Sequence, residues 1–579
     1  MRQAALAAVV LVGLTVFGLS GGEFNSFVIS LGLVYVVAAL GLHLLVSDAG
    51  ELSLAQGMFL AIAAFVSVHL VRAMGGAAFP LAVLAATTLA ALVSGLVALP
   101  LLRMSGPAVA VTTYLFAVAG DAFLLHQEWF VLEAGALAMP RVELLGLDLS
   151  SPEGQLLTIA ASVAIAALAV IAVRRARFGR ALLAVRENPA VAEAVGIDVR
   201  LVRIGAYMVA GAFAGFAGAL WALLLGGASV SSFPPALSLL LLSVVVIGGR
   251  GSQWGVAIAA FAFAVVPEWF SGLGTLVEYL APIGLIATLA FYNGGLNQQL
   301  RDLARRLPLP PPQPASAAAV AAPAEPAGAP AAAAGEPAVA VESATVTFGG
   351  VRAVDDAAIS VRGGEIVGLI GPNGAGKTTL LNLISGRQRR GEGSVSLFGR
   401  EVARTTAHRR ARLGLRRSFQ HGGLAMDETP VTNAMIALHA APAPRRYEHL
   451  RARAEGALDA LEVPAAVRAT PVRELPSGQR RLVEIACMLA TDAPVLLLDE
   501  PTTGLSGEEV DRLIGVLRER RDRHGAATVV VAHDLRFLME VADRVVVMSE
   551  GAVIAEGSPQ RIQSDEQVRR LYFGQAALA

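Results

Sequence analysis

The chain opens on long apolar runs separated by short polar breaks. Runs near 3–20, 26–46, 53–71, 79–102, 106–125, 155–173, 204–226, 236–249, 254–271 and 277–293 predict about ten apolar helices. Most approach the roughly 20 residues a helix needs to cross the hydrocarbon, and the shorter ones read as tilted, broken or re-entrant. The pattern changes near residue 300. From Leu307 to Pro337 the chain is almost wholly Pro and Ala, which cannot build a core and reads as a semi-extended tether. Past about residue 340, strand-like apolar runs alternate with helical ones, the pattern of a soluble α/β domain. The predicted layout is a transmembrane domain over 1–306, a linker over 307–340 and an α/β domain over 341–579.

Composition sharpens this picture. Hydrophobic residues make up 55% of the chain and charged residues 16%, against about 25% charged in an ordinary soluble domain. A soluble enzyme is therefore excluded. The 46 basic and 46 acidic residues balance, so nothing in the charge calls for a nucleic-acid partner. Cys487 is the only cysteine, which rules out a disulfide-stapled secreted fold. Charge placement sets orientation. Arg174, Arg175, Arg177, Arg180, Arg186, Arg200 and Arg203 crowd one loop, and Arg301, Arg305 and Arg306 follow the last span. The loop from His126 to Gly154 is acidic instead, so positive-inside reasoning puts the arginine loop and the 300s in the cytoplasm. The first run has some signal-peptide character but reads as a retained span.

The α/β half carries the chemistry. A strand-like run ending at Ile370 leads into GPNGAGKTT, Gly371 to Thr379, and then into a helical LLNLIS. This is the strand–loop–helix setting of a phosphate-binding loop. Gly371, Gly374 and Gly376, with Asn373 between them, let backbone N–H groups converge on phosphate oxygens at a helix N-terminus. Lys377 reaches the β- and γ-phosphates of ATP, the Thr378 hydroxyl suits Mg²⁺, and Thr379 completes the loop. Lys377 is the only lysine in the chain, at a place where a compact point charge fits and a guanidinium fork does not. Farther on, VLLLDE is a buried strand ending in two carboxylates: Asp499 suits the Mg²⁺ shell, and Glu500 is placed to polarise an attacking water.

With those two motifs the chain resembles the ATP-binding cassette (ABC) ATPases over roughly 341–575, and the remaining strings of that family follow in order. They are RSFQ with Gln420, LPSGQRR with Ser477, Gly478 and Gln479, PTTGLS, and VVVAHD with His533. The resemblance implies that Gln420 senses Mg²⁺ and water, His533 contacts the γ-phosphate, and Phe348 stacks under adenine. It also implies that the signature completes the nucleotide site of a second cassette. Two departures stand out: the usual LSGGQ reads LPSGQ, with Pro476 at its second position, and Ser506 stands where Asp is common. The loss of one serine hydroxyl predicts a weaker site wherever this signature closes.

The membrane half has its own resemblance. GLHLLVSDAGELSLAQGMFLAIAAF, FGRALLAVRENPAVAEAVGIDV and VIGGRGSQWGVAIAAF resemble the LivM-type permease of branched-chain amino acid importers. The cassette, with its FGGVRAV opening and RLYFG ending, resembles the LivG-type ATPase. The fold implied is a polytopic α-helical membrane domain joined to a P-loop NTPase domain of the ABC type. The function implied is ATP-driven import of branched-chain amino acids across a bacterial inner membrane. Partners implied are a second permease and a second ATP-binding subunit, identical or related, and a periplasmic substrate-binding protein. A urea or short-amide importer is the nearest alternative, followed by an exporter and by a membrane ATPase that moves no solute.

Physical reading adds two features. Asn188, Pro189 and Gly196 bound a short cytoplasmic helix, PAVAEAV, that suits docking on the ATPase. Asp48 and Glu51 in the SDAGE break, and Asp121 within an apolar run, either line a cavity, pair with a partner or sit at a boundary. The SVSSFPP break at Ser229–Pro235 frees backbone groups that suit a zwitterion.

Overall fold

In the computed structural model of the chain, described throughout except at residues 1, 105, 129, 132–134, 145, 250–252, 271–282, 284–336, 390, 419–422, 441–446, 533 and 574–579, two compact units emerge. One comprises the described parts of Met1–Leu182 and Arg200–Ser316, the other Leu183–Val199 with the described part of Ala317–Ala579. The tenth apolar run, most of the Pro/Ala stretch, and Arg301, Arg305 and Arg306 lie outside the described residues.

Among the described residues of the first unit, seven helices are long and apolar enough to cross a membrane: Gly22–Asp48, Gln56–Met74, Gly76–Leu101, Pro107–Leu124, Pro152–Arg175, Val199–Leu224 and Val230–Gly248. Shorter apolar helices run over Ala8–Ser20 and Gln253–Trp269. Leu84, Leu96, Ile165 and Leu168 are exposed, as lipid-facing positions must be, while polar side chains turn inward. Ser94 Oγ donates to the Tyr207 carbonyl at 2.7 Å, and Gln56 Nε2 to that of Ala210 at 3.1 Å. Small residues bring helices close: a Cβ on Gly218 would stand 2.2 Å from the Leu60 carbonyl oxygen.

The two sequence breaks are structured. The first span ends in a π-helical turn, Leu44–Asp48, before an irregular stretch to Ala55. There Arg174 Nε donates to Asp48 Oδ2 at 2.8 Å, and Arg203 Nε lies 2.8 Å from Glu51 Oε1. Arg174 Nη2 also meets His43 Nε2 at 2.9 Å; a guanidinium only donates, so Nε2 accepts and the ring proton faces Ser47 Oγ from Nδ1, 2.9 Å away. Asp48 and Glu51 are thus paired structural charges. The second break forms strand Gly227–Ser229, antiparallel to Ala136–Ala138 from the acidic loop, followed by the turn Val230–Ser232. Asp121 lies in a second π-helical turn, Gly120–Leu124.

The second unit is built on a six-stranded sheet in the order Leu415–Arg417, Val495–Asp499, Ala527–Val531, Ile366–Ile370, Arg544–Ser549, Ala552–Gly557. All pairs are parallel except the last. The three strands Ile366–Ile370, Val495–Asp499 and Ala527–Val531 are buried along their whole length, as a parallel sheet covered on both faces requires. A second sheet of four antiparallel strands includes Pro337–Phe348 and Val351–Arg362. Its first strand starts at Pro337, inside the stretch expected to be linker. That strand pairs on both sides, so Pro337 and Ala338 are drawn into the sheet by their neighbours despite the proline-rich run before them.

Candidate nucleotide site and its surroundings

The strand Ile366–Ile370 hands the chain to a loop and then to helix Lys377–Ser385. Gly376 caps that helix with φ +95°, and a Cβ there would come within 2.2 Å of the Ala353 carbonyl oxygen, so only glycine fits. The far end is held by Arg410, fully buried, whose Nη1 donates to the carbonyls of Leu383 at 2.6 Å and Ile384 at 2.8 Å. These carbonyls belong to the helix's last turn, where a cation is favoured. The phosphate loop is therefore gripped at both ends of its helix.

Asn373, Gly374, Gly376, Lys377, Thr378, Thr379, Asp499 and Glu500 line one cavity together with Ala353, Ala375 and Val531. Gly371 stands just before it, where Lys377 Nζ donates to the Gly371 and Pro372 carbonyls at 2.7 and 2.9 Å. Burial lowers the Lys377 pKa, against the pull of Glu500 and Asp499. Burial raises that of Asp499, partly offset by Arg417. Both shifts describe charges short of solvation, which a polyphosphate and a divalent cation supply. Asp499 Oδ1 is buried and has no hydrogen-bond partner among the described residues. A buried orphan carboxylate oxygen in a cavity shared with the Thr378 hydroxyl is the donor set a hard cation takes, so these residues fit Mg²⁺. Among the described residues no three His, Cys, Asp or Glu side chains cluster.

Glu500 follows the strand at φ +50°, a left-handed conformation unusual for a non-glycine residue. Its backbone N–H donates to the Val531 carbonyl at 2.7 Å. Arg481 clamps the same turn from the signature helix: Nη2 donates to the Asp499 and Glu500 carbonyls, and Nη1 to Glu484 Oε2 at 2.6 Å. The Asp499 N–H donates to Ser418 Oγ at 2.8 Å. Arg481 and Ser418 lie inside the strings LPSGQRR and RSFQ, but their tasks are visible only once distant strands are adjacent.

Other candidates lie apart. Ser477, Gly478 and Gln479 begin helix Ser477–Leu489, away from the phosphate cavity of their own chain, with Gly478 against the Gly504 carbonyl. Pro476 is the residue before the first turn, so the altered signature keeps a helix N-terminus. Ser506 caps helix Gly507–His524 through a reciprocal box with Glu509, a task aspartate also performs. Phe348 ends its strand half-exposed and does not line the cavity. Gln420 and His533 lie outside the described residues.

The segment 183–199, though it lies in sequence between apolar helices, folds with the cassette. Asn188 Oδ1 accepts from the Ala190 and Val191 N–H groups, capping helix Pro189–Ala194 as expected. Around it Arg186 Nη2 reaches Asp427 Oδ2 at 3.1 Å, Arg412 Nε donates to the Gly196 carbonyl at 3.0 Å, and His408 Nε2 faces Asp198 Oδ2 at 3.5 Å. Val191 and Val195 line a cavity with Leu424, Ala437 and Met488 of the cassette.

Comparison with known proteins places both halves. Residues 25–289 match the family described as branched-chain amino acid transport system / permease component. Residues 354–503 match the ABC transporter family, and 552–577 the branched-chain amino acid ATP-binding cassette transporter family. Over 253 residues the chain is 34% identical to the high-affinity branched-chain amino acid transport ATP-binding protein BraF of Pseudomonas aeruginosa, covering 41% of this chain and 97% of that protein. It is 32% identical over 251 residues to LivG, the protein of the same description from Salmonella typhimurium, covering 41% and 98%. The sulfate/thiosulfate import ATP-binding protein CysA 2 of Rhizobium meliloti is 37% identical over 238 residues, covering 41% and 64%. Among solved structures, a nucleotide-free ATP-binding cassette from an ABC transporter matches 41% of this chain and all of that one, at 26% identity and TM-score 0.38.

Proposed function

Because the chain belongs to the branched-chain amino acid ABC transporters, with a permease and an ATPase on one string, we propose that its cargo is a branched-chain amino acid taken up across a bacterial inner membrane. The observation that carries this is the permease-family match over residues 25–289, since an ATPase half alone is similar to importers of unlike solutes. Hydrolysis of ATP in the second unit drives the transport.

In this reading Lys377 and the loop glycines hold the phosphates, while Thr378 and Asp499, with Gln420, hold Mg²⁺. Glu500 draws the proton of the attacking water, and His533 steadies the γ-phosphate. Ser477, Gly478 and Gln479 reach the nucleotide of a second cassette, and Phe348 waits on the exposed edge for adenine. The working assembly therefore holds a second permease and a second ATPase, from an identical or related chain, and takes its solute from a periplasmic binding protein. The 189–194 helix, seated on the cassette, is the element that carries the closure of paired cassettes to the permease.

Uptake of labelled leucine in the native host, with the gene intact and deleted, tests the cargo. Loss of leucine uptake with labelled urea unaffected is the expected result. Unchanged leucine uptake would withdraw the assignment, and a urea deficit in its place would move the chain to that neighbouring class.

A further inference from the structure

Arg417 touches three things at once. Its Nη1 donates to Asn382 Oδ1 at 2.6 Å and Ser385 Oγ at 3.0 Å, both on the helix that begins at the phosphate loop. Its Nη2 lies 3.6 Å from Asp499 Oδ2. The same side chain lines two cavities beneath the 189–194 helix, one with Ala190, Glu193 and Ser385, another with Val191 and Val195. Its side chain is only 3% exposed. A guanidinium kept this far from water needs every contact it makes, and its planar fork fixes the groups it touches in direction as well as distance.

The Asp499 carboxylate has two oxygens in unlike situations. Oδ2 faces Arg417, and Oδ1 is buried without a hydrogen-bond partner among the described residues. Holding one oxygen settles the rotation of the other, so the guanidinium decides which lone pairs Asp499 turns toward the Thr378 side of the phosphate cavity. We propose that Arg417 is a positioning residue that aims Asp499 at the divalent cation and ties that aim to the seating of the 189–194 helix. It acts through Asp499 and touches neither nucleotide nor metal. The proposal rests on the ATPase reading above and adds a second link between dock and site, lying in the floor of the dock.

Charge and orientation predict opposite results, which makes the idea testable. Removing a cation beside a carboxylate strengthens its attraction for Mg²⁺ if charge alone matters. Removing the group that aims the carboxylate weakens Mg²⁺ binding, by about 10- to 100-fold for outer partners of metal ligands. The experiment uses the full-length chain with its partner subunits in lipid nanodiscs, and reads the Mg²⁺ concentration at half-maximal ATPase together with Mg²⁺-free binding of a fluorescent ATP analogue. Arg417→Ala is expected to raise the Mg²⁺ requirement at least about tenfold with analogue binding intact, and Arg417→Lys to recover only part of the shift. A requirement unchanged or lowered in Arg417→Ala overturns the positioning role. A double-mutant cycle with Val191→Ala, read as the same Mg²⁺ requirement, tests the tie to the dock: non-additive shifts support it and additive shifts remove it. If the unaltered protein shows no Mg²⁺-dependent hydrolysis at all, the ATPase reading fails first; normal hydrolysis with an unmoved requirement sinks only the role of Arg417.

Discussion

Glu500 combines an acidic side chain with a left-handed backbone, held there by Val531 on one side and Arg481 on the other. Residues kept in sparsely populated conformations persist only where surrounding contacts over-determine them. Here those contacts point the carboxylate into the cavity that Lys377 shares. Glu500→Gln keeps the shape and removes the carboxylate proposed above as the base. ATP hydrolysis is expected to fall by about 10²–10⁴-fold, with labelled ATP retained on an assembled complex and solute uptake abolished; normal uptake by that variant would remove Glu500 from the role. This site was readable before folding because each demand fell on a residue type: glycine for a close backbone, lysine for a point charge, paired acids at a strand end. Arg481, Arg417 and Ser418 were not readable in that way. Their partners come from other strands, and an arginine in a chain rich in arginine carries no spacing signal. The same holds for Asp48, whose partner Arg174 is 126 residues away.

Helices and strands were legible in proportion to how much local pattern they carry. The apolar spans and the buried strands of the parallel sheet follow their runs closely, since burial on all sides demands continuous apolar residues. The breaks were harder: the strand Gly227–Ser229 exists only because Ala136–Ala138 pairs with it from a distant loop. The strand starting at Pro337 likewise owes its first residues to partners. The 189–194 helix lies between these cases. Its cap was evident from Asn-Pro, yet with six residues it is far below the length that is stable alone, so its order depends on capping and docking together. Asn188→Ala removes both cap bonds, a loss of about 1 kcal/mol in an element with little to spare. Fewer solute molecules moved per ATP hydrolysed is the expected outcome, from paired uptake and phosphate-release assays on reconstituted complex. An unchanged ratio would mean the helix transmits nothing.

At the scale of the whole chain, one unit borrows seventeen residues, 183–199, from between the other's segments. A cassette cut free at residue 337 lacks them and bares Leu424, Ala437 and Met488. Expressed as 337–579, it is expected to melt low, and a synthetic 183–199 peptide is expected to raise its melting temperature with concentration, as any ligand of the folded state does. A melting temperature indifferent to the peptide would show that the borrowed segment adds no stability. The borrowing also orders events during synthesis. The 374 residues that follow Val199 as far as Phe573 are still to be translated when Val199 joins the chain, which takes about 20–75 s at roughly 5–20 residues per second. For that interval the short helix has no seat of its own chain's making. Until then no cassette of its own chain covers Val191 and Val195, which face Leu424, Ala437 and Met488 in the finished fold.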